Sequence, residues 1–205
     1  MPSLPTALLS LTFYLTTLAS PSPHTFHFPT SPNHTFTPGS VIPANAHTFP
    51  ALLGTGMSTS LLNLGPCAML PPHSHPRATN IVVAISGNTT SWTVVENGAG
   101  VREVALVPWT VAVFERGSLH GMINYGCENA QLISALNSED PGTLNHINAL
   151  FLFPPDIVEA AFGAQRSASD GFDVRTLGRD VPGVGTGAVM GSRECMRRCG
   201  IGGLG

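Results

Sequence analysis

The tightest constraint on this chain is a train of short apolar runs between residues 66 and 136, each ended by a turn signal. Ile81-Val-Val-Ala-Ile85 stops at Gly87-Asn88, Thr89-Thr-Ser-Trp-Thr-Val-Val95 follows, and Asn97-Gly98 is a strong tight-turn dipeptide. Further runs cover Val101 to Val107, Val111 to Phe114, Leu119 to Asn124 and Ala130 to Leu136, with turns at Pro108, Arg116-Gly117 and Tyr125-Gly126. Strands repeated at this spacing, with no helical period between them, predict an all-β sandwich or barrel.

Just before the first of these runs lies Leu70-Pro-Pro-His-Ser-His-Pro-Arg-Ala-Thr-Asn80. In an extended strand, residues two apart face the same way and lie roughly 6.5 to 7 Å apart along the chain. His73 and His75 can therefore address one ion, or each can be satisfied by hydrogen bonds in the core. The other early histidines, His24, His27, His34 and His47, have no ligand-like spacing and are expected at the surface.

Charge excludes one broad class of function. The chain has nine basic residues, all arginine, against twelve acidic ones, a formal charge of -3. Only Arg197-Arg198 are adjacent, so the basic surface of a nucleic-acid binder is missing and no nucleic-acid partner is expected.

The outer segments suggest export. Residues 1–19, with an apolar run ending in Leu18-Ala-Ser20, read as a signal peptide cleaved near Ala19; threonines, serines and prolines leave too few apolar residues for a membrane anchor. Four cysteines suit an oxidising compartment, and Asn33-His-Thr35 and Asn88-Thr-Thr90 match the glycosylation acceptor pattern. Residues 20–48 form a Pro- and Thr-rich arm with one or two edge strands. After Asp140-Pro-Gly142, Asp156 and Glu159 suggest a capping box for a short helix ending near Gly163. Residues 164–191 are expected to loop over the surface, and 166–205 form a Gly-rich tail carrying Cys195 and Cys199.

Several of these segments together resemble germins and the spherulin-like secreted proteins. Pro71-Pro-His-Ser-His-Pro-Arg-Ala-Thr79 is similar to the first motif of the cupin superfamily, Phe114-Glu-Arg-Gly-Ser-Leu-His-Gly-Met-Ile-Asn124 to the second, and Ser134 to Thr143 to the segment that follows. Gly65-Pro-Cys67, Gly126-Cys-Glu128 and the Cys-x-x-x-Cys tail resemble the fungal and slime-mould branch. The resemblance implies a single cupin jelly-roll, an antiparallel β-barrel over 49–165, with an irregular N-terminal arm and short C-terminal helices. It implies three imidazole ligands, His73, His75 and His120, for one divalent metal, manganese in germins. It also implies a disulfide between Cys67 and Cys127, on neighbouring strands, leaving Cys195 and Cys199 to pair locally, and it suggests a homo-oligomer.

The departures from the germin pattern carry information. Germins place a glutamate ligand where this chain has Asn80, so Asn80 becomes a fourth ligand or an orienting neighbour. Three neutral imidazoles without a carboxylate leave a divalent ion at about +2 and favour zinc, copper or iron over manganese. Oxalate-oxidising germins carry asparagines where Leu70 and Ser60 stand here, which argues against a manganese oxalate oxidase. Glu115 replaces a proline and Trp109-Thr110 a Gly-Asp turn; Glu115 is expected as a solvated turn residue. Three functions remain open: a secreted metal-dependent oxidoreductase acting on a small molecule, a non-catalytic wall or matrix protein, and a tailoring enzyme of secondary metabolism whose pocket is lined by Leu70, Met122 and Asn124.

Overall fold

Two antiparallel sheets wrap around one apolar interior in a computed structural model of the chain, which describes residues 24–163 and 174–202. The first sheet is built from β1 (Gly39–Ala44), β2 (Ser58–Leu64), β4 (Asn80–Ser86), β7 (Val111–Phe114) and β9 (Ala130–Leu136), in the order β1-β2-β9-β4-β7. The second holds β3 (Ala68–Ser74), β5 (Thr89–Val94), β6 (Arg102–Leu106), β8 (Leu119–Asn124) and β10 (Leu144–Asn145), in the order β10-β3-β8-β5-β6, and β11 (Val189–Met190) pairs with β3 as well. This is the jelly-roll that the strand spacing and the motifs predict. The proposed signal peptide lies outside the described residues.

Alternation explains which residues fill the barrel. Along β9, Ala130, Leu132, Ser134 and Leu136 are buried while the residues between them are half-exposed. Leu64, Val82, Leu106, Phe114 and Leu132, drawn from both sheets, are fully buried. Each such side chain contributes about 1.5–3 kcal/mol through burial.

The N-terminal arm supplies β1, an edge strand that pairs with β2 from Gly39 opposite Leu64 to Ala44 opposite Thr59. After β10 come α1 (His146–Leu150), α2 (Pro155–Ala161), α3 (Val174–Asp180) and α4 (Arg193–Arg198). The expected capping box does not form: Pro154 occupies the N-cap, so Asp156 sits inside the first turn of α2, where its charge still favours the helix dipole.

Two expectations about the tail are corrected. The stretch before α4 is not a surface loop: Ala188 and Val189 are buried, and β11 adds to β3 through Val189 opposite Met69 and Met190 opposite Ala68. Just upstream, the Val41 amide donates to the Thr186 carbonyl at 2.8 Å and the Thr186 hydroxyl to the Gly39 carbonyl at 2.6 Å. Residues 184–190 therefore bridge the β1 edge of one sheet to the β3 edge of the other and seal the seam between them. Gly187 suits this closure, because its φ of 102° is left-handed and an added Cβ would lie 2.7 Å from Val41 Cγ2.

The disulfides also differ from expectation. Cys67 bonds Cys195, with Cα atoms 5.6 Å apart, and Cys127 bonds Cys199, at 5.2 Å. Strands β3 and β8 do neighbour one another, but α4 presents Cys195 and Cys199 one turn apart on a single face, which docks on the ends of those strands. Ser192 caps α4 by accepting the Cys195 amide, and Arg198 donates to the Tyr125 carbonyl. The tail is thus pinned to the barrel at two points.

Candidate metal centre

His73 reaches the interior from β3 and His120 from β8, its direct register partner. His75 lies just beyond the end of β3, after a register irregularity between Leu70 and His73 that separates β3 from a regular ladder. The period-two reading puts His73 and His75 on one side of the chain, and the structure does bring them together, although only His73 lies within the strand. Ring centroids are 4.4 Å apart for His73 and His120, 5.2 Å for His73 and His75, and 5.3 Å for His75 and His120. One nitrogen from each ring lies within 4.8 Å of the others.

Each ring is held by a backbone carbonyl at Nδ1. His73 contacts the Pro71 carbonyl at 2.8 Å, His75 the Gly142 carbonyl at 2.7 Å and His120 the Ser118 carbonyl at 2.9 Å. A carbonyl only accepts, so Nδ1 carries the proton in all three neutral rings and each Nε2 is left with a free lone pair. His120 Nε2 is fully buried with no hydrogen-bond partner, while Phe114 stacks on the ring at 4.6 Å and 20°. Three convergent acceptors with no donor among them are a donor set that could hold a cation.

Electrostatics favours the same protonation state. Burial holds His73 down to about 4 and His120 down to about 3, with neighbouring imidazoles pushing the same way. His75, less buried, is lowered by desolvation too, partly opposed by its bond to Gly142. At neutral pH all three rings are uncharged and ready to coordinate.

A cavity of about 430 Å³ adjoins His73 and His75. Asn80 lines it from β4 of the opposite sheet, 3 % exposed, with its Oδ1 accepting the Ser134 hydroxyl at 2.5 Å. Leu70 and Met122 line it too. Asn124 does not: its amide donates to the carbonyls of Leu64, Gly65 and Glu128 and its oxygen accepts the Gly126 amide, so it braces the turn after β8. Being two residues beyond Met122, it shares that inward face of β8 but sits at the strand end.

Other expectations resolve at once. Glu115 is exposed, and the Arg102 guanidinium, bonded to both its oxygens at 2.7 Å, holds its carboxyl below the usual range. Trp109 is 80 % exposed and takes the left-handed φ of 69° that the glycine of a Gly-Asp turn would adopt without strain. Asn33 and Asn88 are both exposed. Cys67, Cys195 and Cys199 cluster, but their sulfurs are spent in disulfides.

Two contributors escaped the sequence reading. His146, at the start of α1, has Nε2 2.9 Å from the Ser74 hydroxyl, tying the helix to the residue between His73 and His75. Arg77 donates to the Asp140 carbonyl and carboxylate, both at 2.7 Å, and its amide to the Pro141 carbonyl at 3.2 Å. It thereby holds the loop whose Gly142 carbonyl orients His75. The signal for Arg77 was its place two residues after His75; for His146 there was none.

Comparison with known proteins agrees with this architecture. The cupin family model matches residues 28–170. Spherulin-1A of Physarum polycephalum is 31% identical over 165 residues, covering 80% of this chain and 64% of that protein. Germin-like protein subfamily 3 member 1 of Arabidopsis thaliana is 39% identical over 102 residues, 50% of this chain and 49% of that one. The chain thus spans about half to two thirds of these relatives. Among solved structures, an oxalate oxidase in complex with the substrate analogue glycolate superposes with a TM-score of 0.63 at 23% identity, covering 79% of each chain. Oxalate decarboxylase from Bacillus subtilis gives 0.71 at 17% identity, covering 84% of this chain and 42% of that one; at such identities the likeness speaks to fold. With its jelly-roll, its two histidine-bearing strands and a family match over most of its length, the chain belongs to the cupin family.

Proposed function

We propose that this protein is an extracellular cupin that holds one divalent metal on His73, His75 and His120 and presents it to a small molecule in the adjoining cavity, acting as a metal-dependent oxidoreductase but not as a manganese oxalate oxidase. One observation carries the reading: three Nε2 lone pairs converge, every Nδ1 is already committed to a carbonyl, and His120 Nε2 is buried with no partner. An ion held there supplies Lewis acidity, and a redox-active one electron transfer as well. Asn80 serves as the fourth ligand or orients what occupies the open position. Its neutral amide supports zinc, copper or iron rather than manganese. Secretion is supported by the two disulfides and the two exposed acceptor asparagines; among the described residues no helix is long and apolar enough to cross a membrane. The family resemblance supports a homo-oligomer.

A second reading, a binding protein without turnover, is favoured by one feature. The only carboxylate lining the cavity among the described residues is Asp140, which is paired with Arg77, and no lysine, tyrosine or free cysteine lines it. Elemental analysis of the full chain from its secretion route, without added metal, tests the metal itself. One equivalent of zinc, copper or iron, lost in His120→Ala, is expected. Full occupancy by manganese would overturn the argument from Asn80, and substoichiometric metal of every kind would overturn the site.

A further inference from the structure

The cavity beside the histidines is built for more than a small polar anion. Its walls are mainly apolar: Leu70 and Met122 from the ligand-bearing sheet, Leu62 and Leu136 from the facing sheet, and Val41 and Val184 where β1 meets the tail. Registers place these residues in order. Leu70 lies opposite Met122, one step along the β3–β8 pair from His73 opposite His120; Leu136 lies opposite Asn80; and Leu62 lies opposite Val41. The apolar path therefore starts beside the imidazoles and runs across to the β1 edge, where residues 184–187 close the seam.

Asn80 and Ser134, joined by their hydrogen bond, share the lining with the histidines, Thr186 beside Val184 spends its hydroxyl on the Gly39 carbonyl, and among the described residues no arginine or lysine lines the cavity. A divalent ion on three neutral rings keeps its charge, which favours a partner that brings negative oxygen. Nothing farther along the cavity would pair with a second charged group, since the remaining carboxylate, Asp140, is itself negative. A volume of about 430 Å³ also lies within the range of cavities that enclose whole organic ligands.

We infer that the cavity binds an amphiphilic ligand: a metal-chelating oxyanion head beside His73, His75 and Asn80, carried on an apolar body that lies against Leu70, Met122 and Leu62 and ends under Val184. This rests on the metal reading above. It assigns Leu70, where an asparagine would favour a polar substrate, as a specificity residue, and it makes the tail segment part of the binding wall.

The test uses the full chain loaded with one equivalent of cobalt(II) and straight-chain alkyl hydroxamates of two to six carbons, with oxalate as competitor. Calorimetry reports affinity, and the visible cobalt band reports whether the head reaches the ion. Affinity is expected to rise about fourfold per methylene, with the same band shift for every member. Leu70→Asn should flatten that slope while preserving the band shift. Val184→Asp, a change in the half-exposed tail that leaves the barrel core alone, should weaken the six-carbon member at least tenfold and leave the two-carbon member unchanged. A normal band shift with an affinity independent of chain length overturns the amphiphile while the metal site stands. So does displacement of the six-carbon hydroxamate by equimolar oxalate. Failure to bind cobalt at all overturns the metal reading and this inference together.

Discussion

Arg77→Gln separates metal affinity from fold stability. The side chain is 53% exposed and its partner Asp140 73%, so the ion pair itself is worth about 0.2–1 kcal/mol. The second bond, to the Asp140 carbonyl, adds about 1 kcal/mol at most, and the backbone bond to Pro141 survives the substitution. Apo stability should therefore fall by about 1 kcal/mol, or roughly 2–4 °C in Tm for a chain of this size. The metal should suffer more. His73 and His120 are oriented by carbonyls two residues away on their own chain segment, whereas His75 depends on Gly142, 67 residues distant, on the loop Arg77 holds. Loss of such an orienting partner typically costs 10–100-fold in metal affinity, equivalent to about 1.4–2.8 kcal/mol. Competition with a chromophoric chelator measures the affinity, and thermal melts of the metal-free protein measure the fold. Affinity within twofold of the parent would refute the bracing argument, as would an apo destabilisation of 3 kcal/mol or more. Gly142→Ala should reproduce the affinity loss, because a Cβ there would lie 2.9 Å from Arg77 at a φ of 66°.

Four further outcomes are expected. His73 and His120 have folded values depressed to about 4 and about 3, so their contribution to apo stability is complete above about pH 6.5 and is lost as pH falls toward 3; denaturant melts should show a decline of several kcal/mol across that window, reduced in His120→Leu. Asn80→Glu should raise manganese affinity and destabilise the metal-free protein by placing a carboxylate at a 3 %-exposed position; titrations matching the parent would mean residue 80 does not face the ion. Trypsin cuts after Arg197 and Arg198, so peptide mapping should find Cys195 linked to Cys67 and Cys199 to Cys127, and losing the 128-residue Cys67–Cys195 closure should cost about 5 kcal/mol; a Cys195–Cys199 peptide would refute the pairing. Trp109→Gly should stabilise the fold by about 0.5–1 kcal/mol, because it relieves a left-handed φ at the cost of a little buried area and of glycine's added chain entropy; a lower Tm would refute it.

The barrel strands were legible because each alternates and each ends at a turn residue: the runs at 111–114, 119–124 and 130–136 coincide with β7, β8 and β9. The histidine cluster was legible from spacing and motif together. What the sequence hid is set by long-range geometry. Gly187-Ala-Val-Met190 is too short to stand out as a strand, and it becomes one only because the β1 and β3 edges leave a gap to fill. The pairing of four cysteines depends on where α4 docks, which no local pattern encodes. Asn124 shares its facing with Met122, so period alone could not tell a cavity residue from a turn brace. The His75–Gly142 bond spans the chain in the same way and left no trace in spacing.

The sealed seam has a consequence for how such a protein can diversify. The imidazoles come from residues 73 to 120 on one sheet, whereas part of the cavity wall comes from residues 184–187, a separate stretch tied to β1 through Thr186 and followed by the disulfide-bonded α4. Substitutions in that stretch can reshape the cavity wall without disturbing a histidine or its orienting carbonyl. That part of the wall can vary apart from the histidines, whereas Leu70, three residues before His73 on the same segment, cannot.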